Sequence, residues 1–164
     1  MKTLKIISGG QTGVDRAALD VALKHGIDCG GWCPAGRIDE FGKIPDRYPV
    51  QELQDGGFSE RTLQNVKESE GTIVTYPGEL HGGTEQTIRF CADLKRPHQL
   101  IDALRVATEE AAKLIADFVR KNKIGVLNVA GPRQSEWPEG YAYASRALGI
   151  FVTSCSRRPV GGQY

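Results

Sequence analysis

Short apolar runs alternate along this chain with amphipathic stretches, and the changes of period fall at glycines and prolines. "LKIIS" (4–8) predicts a short buried strand. In "VDRAALDVALKHG" (14–26) Val14, Ala17, Ala18, Val21 and Ala22 share one helical face, and Gly26 is placed to cap the C-terminus. "IDCGGWC" (27–33) predicts a second strand. "PAGRIDEFGKIPDRYPV" (34–50) holds Pro34, Pro45 and Pro49 with little periodicity, and predicts a long loop of the kind that serves as a lid or binding loop. "SERTLQNVKES" (59–69) predicts a helix with Ser59 as its N-cap, and "GTIVTY" (71–76) a β-branched strand. After the break at "PGELHGG", "TEQTIRFCADLK" (84–95) predicts a helix and "HQLID" (98–102) a weak strand. "ATEEAAKLIADFVRKN" (107–122) is the clearest amphipathic helix, with Ala107, Ala111, Leu114, Ile115 and Phe118 on one stripe. "IGVLNVA" (124–130) predicts a strand, "GPRQSEWPE" a loop and "GYAYASRALGI" (140–150) a last helix.

Strands separated by helices imply an α/β fold, with a mainly parallel sheet covered on both faces. The strands are nearly all apolar, as burial on two sides requires. In such a sheet every strand ends at one edge, and ligands bind beyond those carboxyl ends. Three glycine loops follow strands directly and open helices: "SGGQTG", "HGGT" and "AGPRQSE". Each is placed to aim helix N-terminal N–H groups outward, a disposition that suits anions. The pattern predicts a shared site for a small phosphorylated ligand.

Composition narrows the classes. The hydrophobic fraction of 40% and the charged fraction of 25% are ordinary for a globular protein. A net charge of +1 provides no general pull toward nucleic acid or an anionic membrane. No apolar run reaches the roughly 20 residues that span a bilayer. The lysines of "MKTLKIISGG" precede too short an apolar run for a secretory signal. Cys29, Cys33, Cys91 and Cys155 are scattered, without the density of a disulfide scaffold. A cytoplasmic protein of one domain over 1–164, with a mobile polar tail from about residue 155, is the expectation.

The candidate chemistry keeps alternatives open. "GGQTGVDR" lacks the lysine of a P-loop and the spacing of a dinucleotide fingerprint. Asp15, in the first helical turn, would repel phosphate unless a cation intervened. It could be offset by Arg16, take a ribose hydroxyl or hydrated metal ion, or only stabilise the helix dipole. Arg133 could fork onto a phosphate or form a surface ion pair. Ser135 and Glu136 could cap a helix or touch a ligand. Arg37 and Cys33 border the long loop. Cys29 and Cys33 suit core packing, or half of a metal site with no second pair nearby. Of the histidines, His25 lies at a helix end, His98 begins a strand and only His81 sits at the presumed site. No nucleophile–base pair can be assembled.

Taken together, "SGGQTGVDRAALDVALKHGIDCGGWCPAGR", "IPDRYPV", "RTLQNVKESEGTIV", "GGTEQT" and "VLNVAGPRQSE" resemble the circularly permuted branch of the SLOG superfamily, over nearly the whole chain. Members of that branch are often labelled molybdenum cofactor carriers. The superfamily fold is Rossmann-like, its members bind nucleotides or nucleotide-derived ligands, and its best known enzymes are the cytokinin-activating phosphoribohydrolases. The unit resembling the opening strand and loop of those enzymes here is "VLNVAGPRQSEWPEGYAYASRALG", near the C-terminus.

The resemblance implies a Rossmann-like three-layer sandwich. It further implies ligand contacts at Gly9, Gly10, Thr12 and Gly13, a phosphate-binding turn at Gly82, Gly83 and Thr84, and a completing loop at Gly131 and Arg133. A molybdopterin-type cofactor or a nucleotide would be the ligand, with no metal site in the protein itself, and a homo-oligomer is expected because relatives are often oligomeric. One departure weakens the enzyme reading. The phosphoribohydrolases carry a catalytic glutamate three residues past the turn's threonine, and that position here is Thr87. Glu85 follows Thr84 directly, about 100° round the helix from it, and cannot substitute simply. A hydrolase would have to use Asp15 or Glu136 instead.

Overall fold

The computed structural model describes residues 3–156. Five strands form one all-parallel sheet: β1 (Lys5–Ile7), β2 (Asp28–Gly30), β7 (Gly71–Tyr76), β8 (His98–Asp102) and β9 (Val126–Ala130), in the order β2-β1-β9-β7-β8. The sheet is thus the α/β arrangement expected from the alternating pattern. β9 sits between β1 and β7, with Ile6 opposite Leu127 and Ile73 opposite Val129.

The odd and even positions of β7 face different helices. Ile73 joins Ile6, Leu127, Val129 and Ile101 in a core closed by α1 (Val14–Lys24), α4 (Thr108–Lys121) and α5 (Gly140–Ser156). Thr72 bonds the Cys91 thiol on α3 (Gly82–Asp93), which packs against α2 (Phe58–Glu68) on the other side. Each fully buried Ile or Leu contributes roughly 1.5–3 kcal/mol relative to exposure, so this double-sided burial holds the layers together.

Several boundaries differ from the sequence expectation. The predicted strand 27–33 is broken at Gly31, where a Cβ would lie 2.0 Å from the Ser8 carbonyl oxygen. Beyond the break β3 (Trp32–Cys33) leaves the main sheet and pairs in parallel with β6 (Gln51–Glu52). The Asn65 side chain fastens this piece to α2, accepting from the Trp32 N–H at 2.8 Å and donating to its carbonyl at 2.9 Å. The 34–50 segment is not structureless. It contains a small antiparallel hairpin of β4 (Ile38–Asp39) and β5 (Gly42–Lys43). Ile44, Tyr48 and Val50 form a second small core with Leu19 of α1, Cys33 and Cys29. α2 is capped two residues earlier than predicted, with Gly57 rather than Ser59 as N-cap. The Glu60 carboxylate accepts from the Gly57 N–H at 3.0 Å. α3 takes in Gly82 and Gly83 as its first turn, and α5 runs to Ser156. Residues 155 and 156 of the expected tail are therefore helical, and the rest of it lies outside the described residues. Among the described residues, no helix is long and apolar enough to cross a membrane.

Candidate functional site

Because all five strands of the main sheet run one way, the loops after β1, β7 and β9 reach the same edge. They surround a cleft of about 230 Å³. Gln11 and Asp15 come from the first loop and helix. Gly82, Gly83, Thr84, Gln86 and Thr87 come from the start of α3, and Ala130 to Arg133 and Glu136 from the third loop. The remaining wall is the first turn of α2, with Phe58, Arg61 and Thr62. Two glycines permit the approach of loops one and three. Gly13 has φ 79° and ψ −128°, and a Cβ there would lie 2.7 Å from the Pro132 carbonyl oxygen. At Gly131 a Cβ would meet the Thr75 carbonyl at 2.7 Å and the Val14 side chain at 2.7 Å.

The first loop spends its donors on itself. The Gln11 N–H donates to Asp15 Oδ2 at 3.4 Å, the Thr12 N–H to Gln11 Oε1 at 3.0 Å and the Gly10 N–H to Ser8 Oγ at 3.4 Å. Thr12 Oγ1 donates to Glu40 at 2.6 Å and accepts from the Gln134 N–H at 3.1 Å. Arg16 is also committed: it donates to the Gly10 carbonyl at 3.0 Å, pairs with Asp39 at 2.8 Å and lies over the Tyr48 ring. Gly9, Gly10, Thr12, Gly13 and Arg16 therefore frame the cleft and do not line it. The cation that meets Asp15 most closely is Arg61, at 3.4 Å, and not Arg16.

Asp15 and Arg61 make the charged floor, with side chains only 4% and 15% exposed. Burial pushes the Asp15 carboxyl up. Arg61, the Gln11 N–H, Arg16 and the Gly9 N–H pull against that without cancelling it. Gly9 has a distinct task here, because a Cβ on it would sit 2.0 Å from Arg61 Nη1. The guanidinium lies against bare backbone, and its Nε is buried with no hydrogen-bond partner. Sequence reasoning missed Arg61. Its stretch carried part of the family resemblance, but nothing local distinguishes it from a solvated helix arginine. The signal is a coincidence across the chain: a glycine at position 9 facing an arginine at 61.

Across the cleft, His81 is the N-cap of α3 and makes no side-chain capping bond. The first N–H groups of a helix have no partner within it. Those of Thr84 and Glu85 turn back to the His81 carbonyl, which leaves the Gly82 and Gly83 N–H groups without a partner among the described residues. Thr87 lies at the cleft, where its hydroxyl donates to the Gly83 carbonyl at 2.9 Å, so no carboxylate occupies that position. Arg133 is held between Glu136 at 2.9 Å and Glu40 at 3.5 Å. Ser135 serves Glu40 through its hydroxyl and its N–H, the latter at 3.1 Å. Burial acts to raise the Glu40 pKa, but the bonds from Ser135 and Thr12 and the nearby Arg133 outweigh it and hold the carboxyl below its ordinary value.

The other sequence candidates fall elsewhere. Arg37 staples its own loop, donating to the carbonyls of Val50, Pro45 and Tyr48. Cys33 is buried in the small core, with Cys29 packed against it. His81 is exposed at the α3 cap, His98 is exposed at the start of β8, and His25 is the C-cap residue of α1. Among the described residues no cluster of His, Cys, Asp and Glu could hold a metal ion.

This architecture matches known proteins. A search of curated proteins returned no match. Among solved structures, a protein from Syntrophus aciditrophicus SB named "Putative molybdenum carrier protein" is similar, with 45% identity and a TM-score of 0.89. The alignment covers 92% of this chain and 96% of that one. A model of the circularly permutated YpsA SLOG family matches residues 6–152. With a matched span from β1 into α5 and a Rossmann-like sheet whose glycine loops meet at one rim, the chain belongs to the circularly permutated YpsA SLOG family.

Proposed function

We propose that this chain is a binding protein that holds a phosphorylated, nucleotide-derived or pterin ligand in the cleft. The observation that carries the reading is the presence, in one cleft, of a buried guanidinium that is only partly paired and a helix N-terminus with unpartnered N–H groups. Arg61 lies in the cleft with its Nε unpartnered. The Gly82 and Gly83 N–H groups open a helix of 12 residues that also lines the cleft. A helix N-terminus and a guanidinium are complementary to a phosphate in both charge and geometry.

The name of the Syntrophus protein makes the molybdenum cofactor the favoured cargo. The donor set suits that group's phosphate. It contains no thiolate or imidazole among the lining residues, so the metal would be held through the cofactor's own atoms. Asp15, Arg61 and the α3 terminus would bind and orient the anionic end, and no reaction step is required of them.

Mass spectrometry of natively purified, then denatured, protein should release a phosphorylated small molecule. Inorganic phosphate should raise the melting temperature of the wild type, as any ligand specific to the native state does. Arg61→Ala should weaken phosphate roughly 10–100-fold, the loss expected for a charge-assisted hydrogen bond. Equal phosphate affinity in both proteins refutes the site. A nucleotide hydrolase is the second reading, favoured by Asp15, a buried carboxylate on the cleft whose pKa burial raises. Release of free base from nucleoside monophosphates, abolished by Asp15→Asn, would establish it.

A further inference from the structure

We infer that α2 and α3 form a jaw that opens from the rest of the fold as a unit, and that an oxyanion in the cleft closes it. The opening follows from packing alone. The closing rests on the phosphate reading above and adds the motion of the site and a further contact, Gln11.

The two faces of the sheet are sealed by different chemistry. On one, α1, α4 and α5 bury Ala18, Ile115, Phe118, Leu148 and Phe151 in the main core. On the other, among the described residues, neither α2 nor α3 contributes a side chain to either hydrophobic core. α2 buries Thr62, Asn65 and Val66, and α3 buries Thr84, Thr87 and Cys91. Beneath them the sheet is polar as well, with the Asn128 amide donating to Thr72 Oγ1 at 3.3 Å. Hydrogen bonds are the fasteners of this layer: Asn65 to the Trp32 backbone at 2.8 and 2.9 Å, and Arg61 to Asp15 at 3.4 Å. Water can take over such bonds on opening, whereas apolar contact has no substitute in water. Segments with few buried apolar contacts open below the cost of global unfolding.

The cleft ends of both helices are entered through glycine. Gly56 (φ 124°) and Gly57 precede α2, and Gly78 (φ 85°) precedes α3, which begins at Gly82 (φ 51°). These positions can turn without a side chain to hinder them. Arg61 and the Gly82 and Gly83 N–H groups therefore ride on the jaw. Gln11 belongs to the body of the fold, in the loop before α1, and lines the same cleft. Its Oε1 accepts from the Thr12 and Glu40 N–H groups at 3.0 Å each, which fixes the orientation of the amide. The amide nitrogen has no partner among the described residues, and the residue is only 6% exposed. An oxyanion that accepts from Arg61 or the α3 terminus and from Gln11 Nε2 ties the jaw to the body.

Hydrogen–deuterium exchange on the full chain, expressed as protection factors, tests both parts. Without ligand, the hydrogen-bonded amides of α2 and α3 should be about tenfold or more less protected than those of β1, β9 and α5. Equal protection overturns the jaw. Inorganic phosphate at ten times its dissociation constant, at constant ionic strength, should raise protection in α2 and α3 about tenfold, since opening has to release the anion. Phosphate that binds without changing their exchange overturns the closing. Gln11→Glu keeps the oxygen that Thr12 and Glu40 hold and puts a negative oxygen in place of the amide nitrogen. It should leave the ligand-free pattern within about twofold and lose most of the phosphate-induced protection at the same phosphate concentration. Full retention of that protection overturns the bridge through Gln11. Failure of phosphate to bind the wild type overturns the phosphate reading and the closing with it, while the ligand-free pattern still decides the opening.

Discussion

Glu40 is the most connected carboxylate at the rim, and its removal should be felt throughout it. The side chain is 8% exposed. It accepts from Thr12 Oγ1 at 2.6 Å, from the Ser135 N–H at 3.1 Å and from the Ser135 hydroxyl, and it lies 3.5 Å from Arg133 Nε. These bonds tie the tip of the 38–43 hairpin to the first and third loops. A hydrogen bond to a charged group contributes roughly 1.5–3 kcal/mol. In Glu40→Ala, Ser135 and Arg133 are exposed enough to turn to water, whereas the buried Thr12 hydroxyl is left with only the long 3.5 Å contact to Gln11 Oε1. One full bond plus part of the others gives about 2–3 kcal/mol. For a chain of this size that is a fall in Tm of roughly 4–12 °C. Glu40→Gln, which keeps the acceptor oxygen but not the charge, should fall between. The pH dependence has a definite sign. Because the folded protein holds this carboxyl below its ordinary value, its contribution is complete above the unfolded pKa of about 4.3 and fades as pH drops through the folded one. Calorimetry at pH 7 and stepwise down to pH 3 should show the gap between wild type and Glu40→Ala narrowing toward acid. A gap below 1 °C at pH 7, or one that persists unchanged into acid, refutes the reasoning.

Two further outcomes follow from the same rim. Asp15 has the opposite sign to Glu40. Burial raises its folded pKa, so its contribution is greatest below the ordinary aspartate range and is lost as pH rises through the folded value. Asp15→Asn should therefore gain stability relative to wild type as pH rises from 4 toward 8, and should bind inorganic phosphate several-fold more tightly at pH 7.5, because Arg61 is freed. Weaker phosphate binding in that variant would contradict the placement of Asp15 beside the anion. Gly13→Ala must hold an alanine at φ 79° and ψ −128°, with its Cβ 2.7 Å from the Pro132 oxygen. The backbone alone costs roughly 1–3 kcal/mol, so a Tm fall of about 4 °C or more is expected, and an unchanged melting curve would refute the close approach.

What local pattern encodes was legible, and what depends on distant partners was not. The parallel sheet followed from apolar runs spaced by helices, because double-sided burial leaves strands no room for polar alternation. The convergence of the glycine loops followed from topology. The split at Gly31 escaped because "IDCGGWC" is apolar throughout, and only the Ser8 carbonyl pressing on that glycine redirects the chain. The hairpin inside 34–50 is too short for a period of two to register. Arg61 and Glu40 take their roles from residues 46 and 95 positions away, Asp15 and Ser135, contacts that no window of sequence samples. Arg16 was credited with a function that Arg61 is better placed to perform. Only coordinates show that its charge is already spent on Asp39 and the Gly10 carbonyl.

The position of β9 has a consequence for how the protein comes into being. β1 finds one neighbour, β2, within the next 25 residues of synthesis, but its other flank stays bare until Val126–Ala130 emerges to fill the gap beside β7. Until then two half-sheets must wait with unsatisfied edges, a state prone to sticking to other chains. The cleft has one wall on each side of that seam, so it is complete only once β9 and the loop after it have been made. A nascent chain halted short of β9 would lack the cleft, however well its first helix had formed.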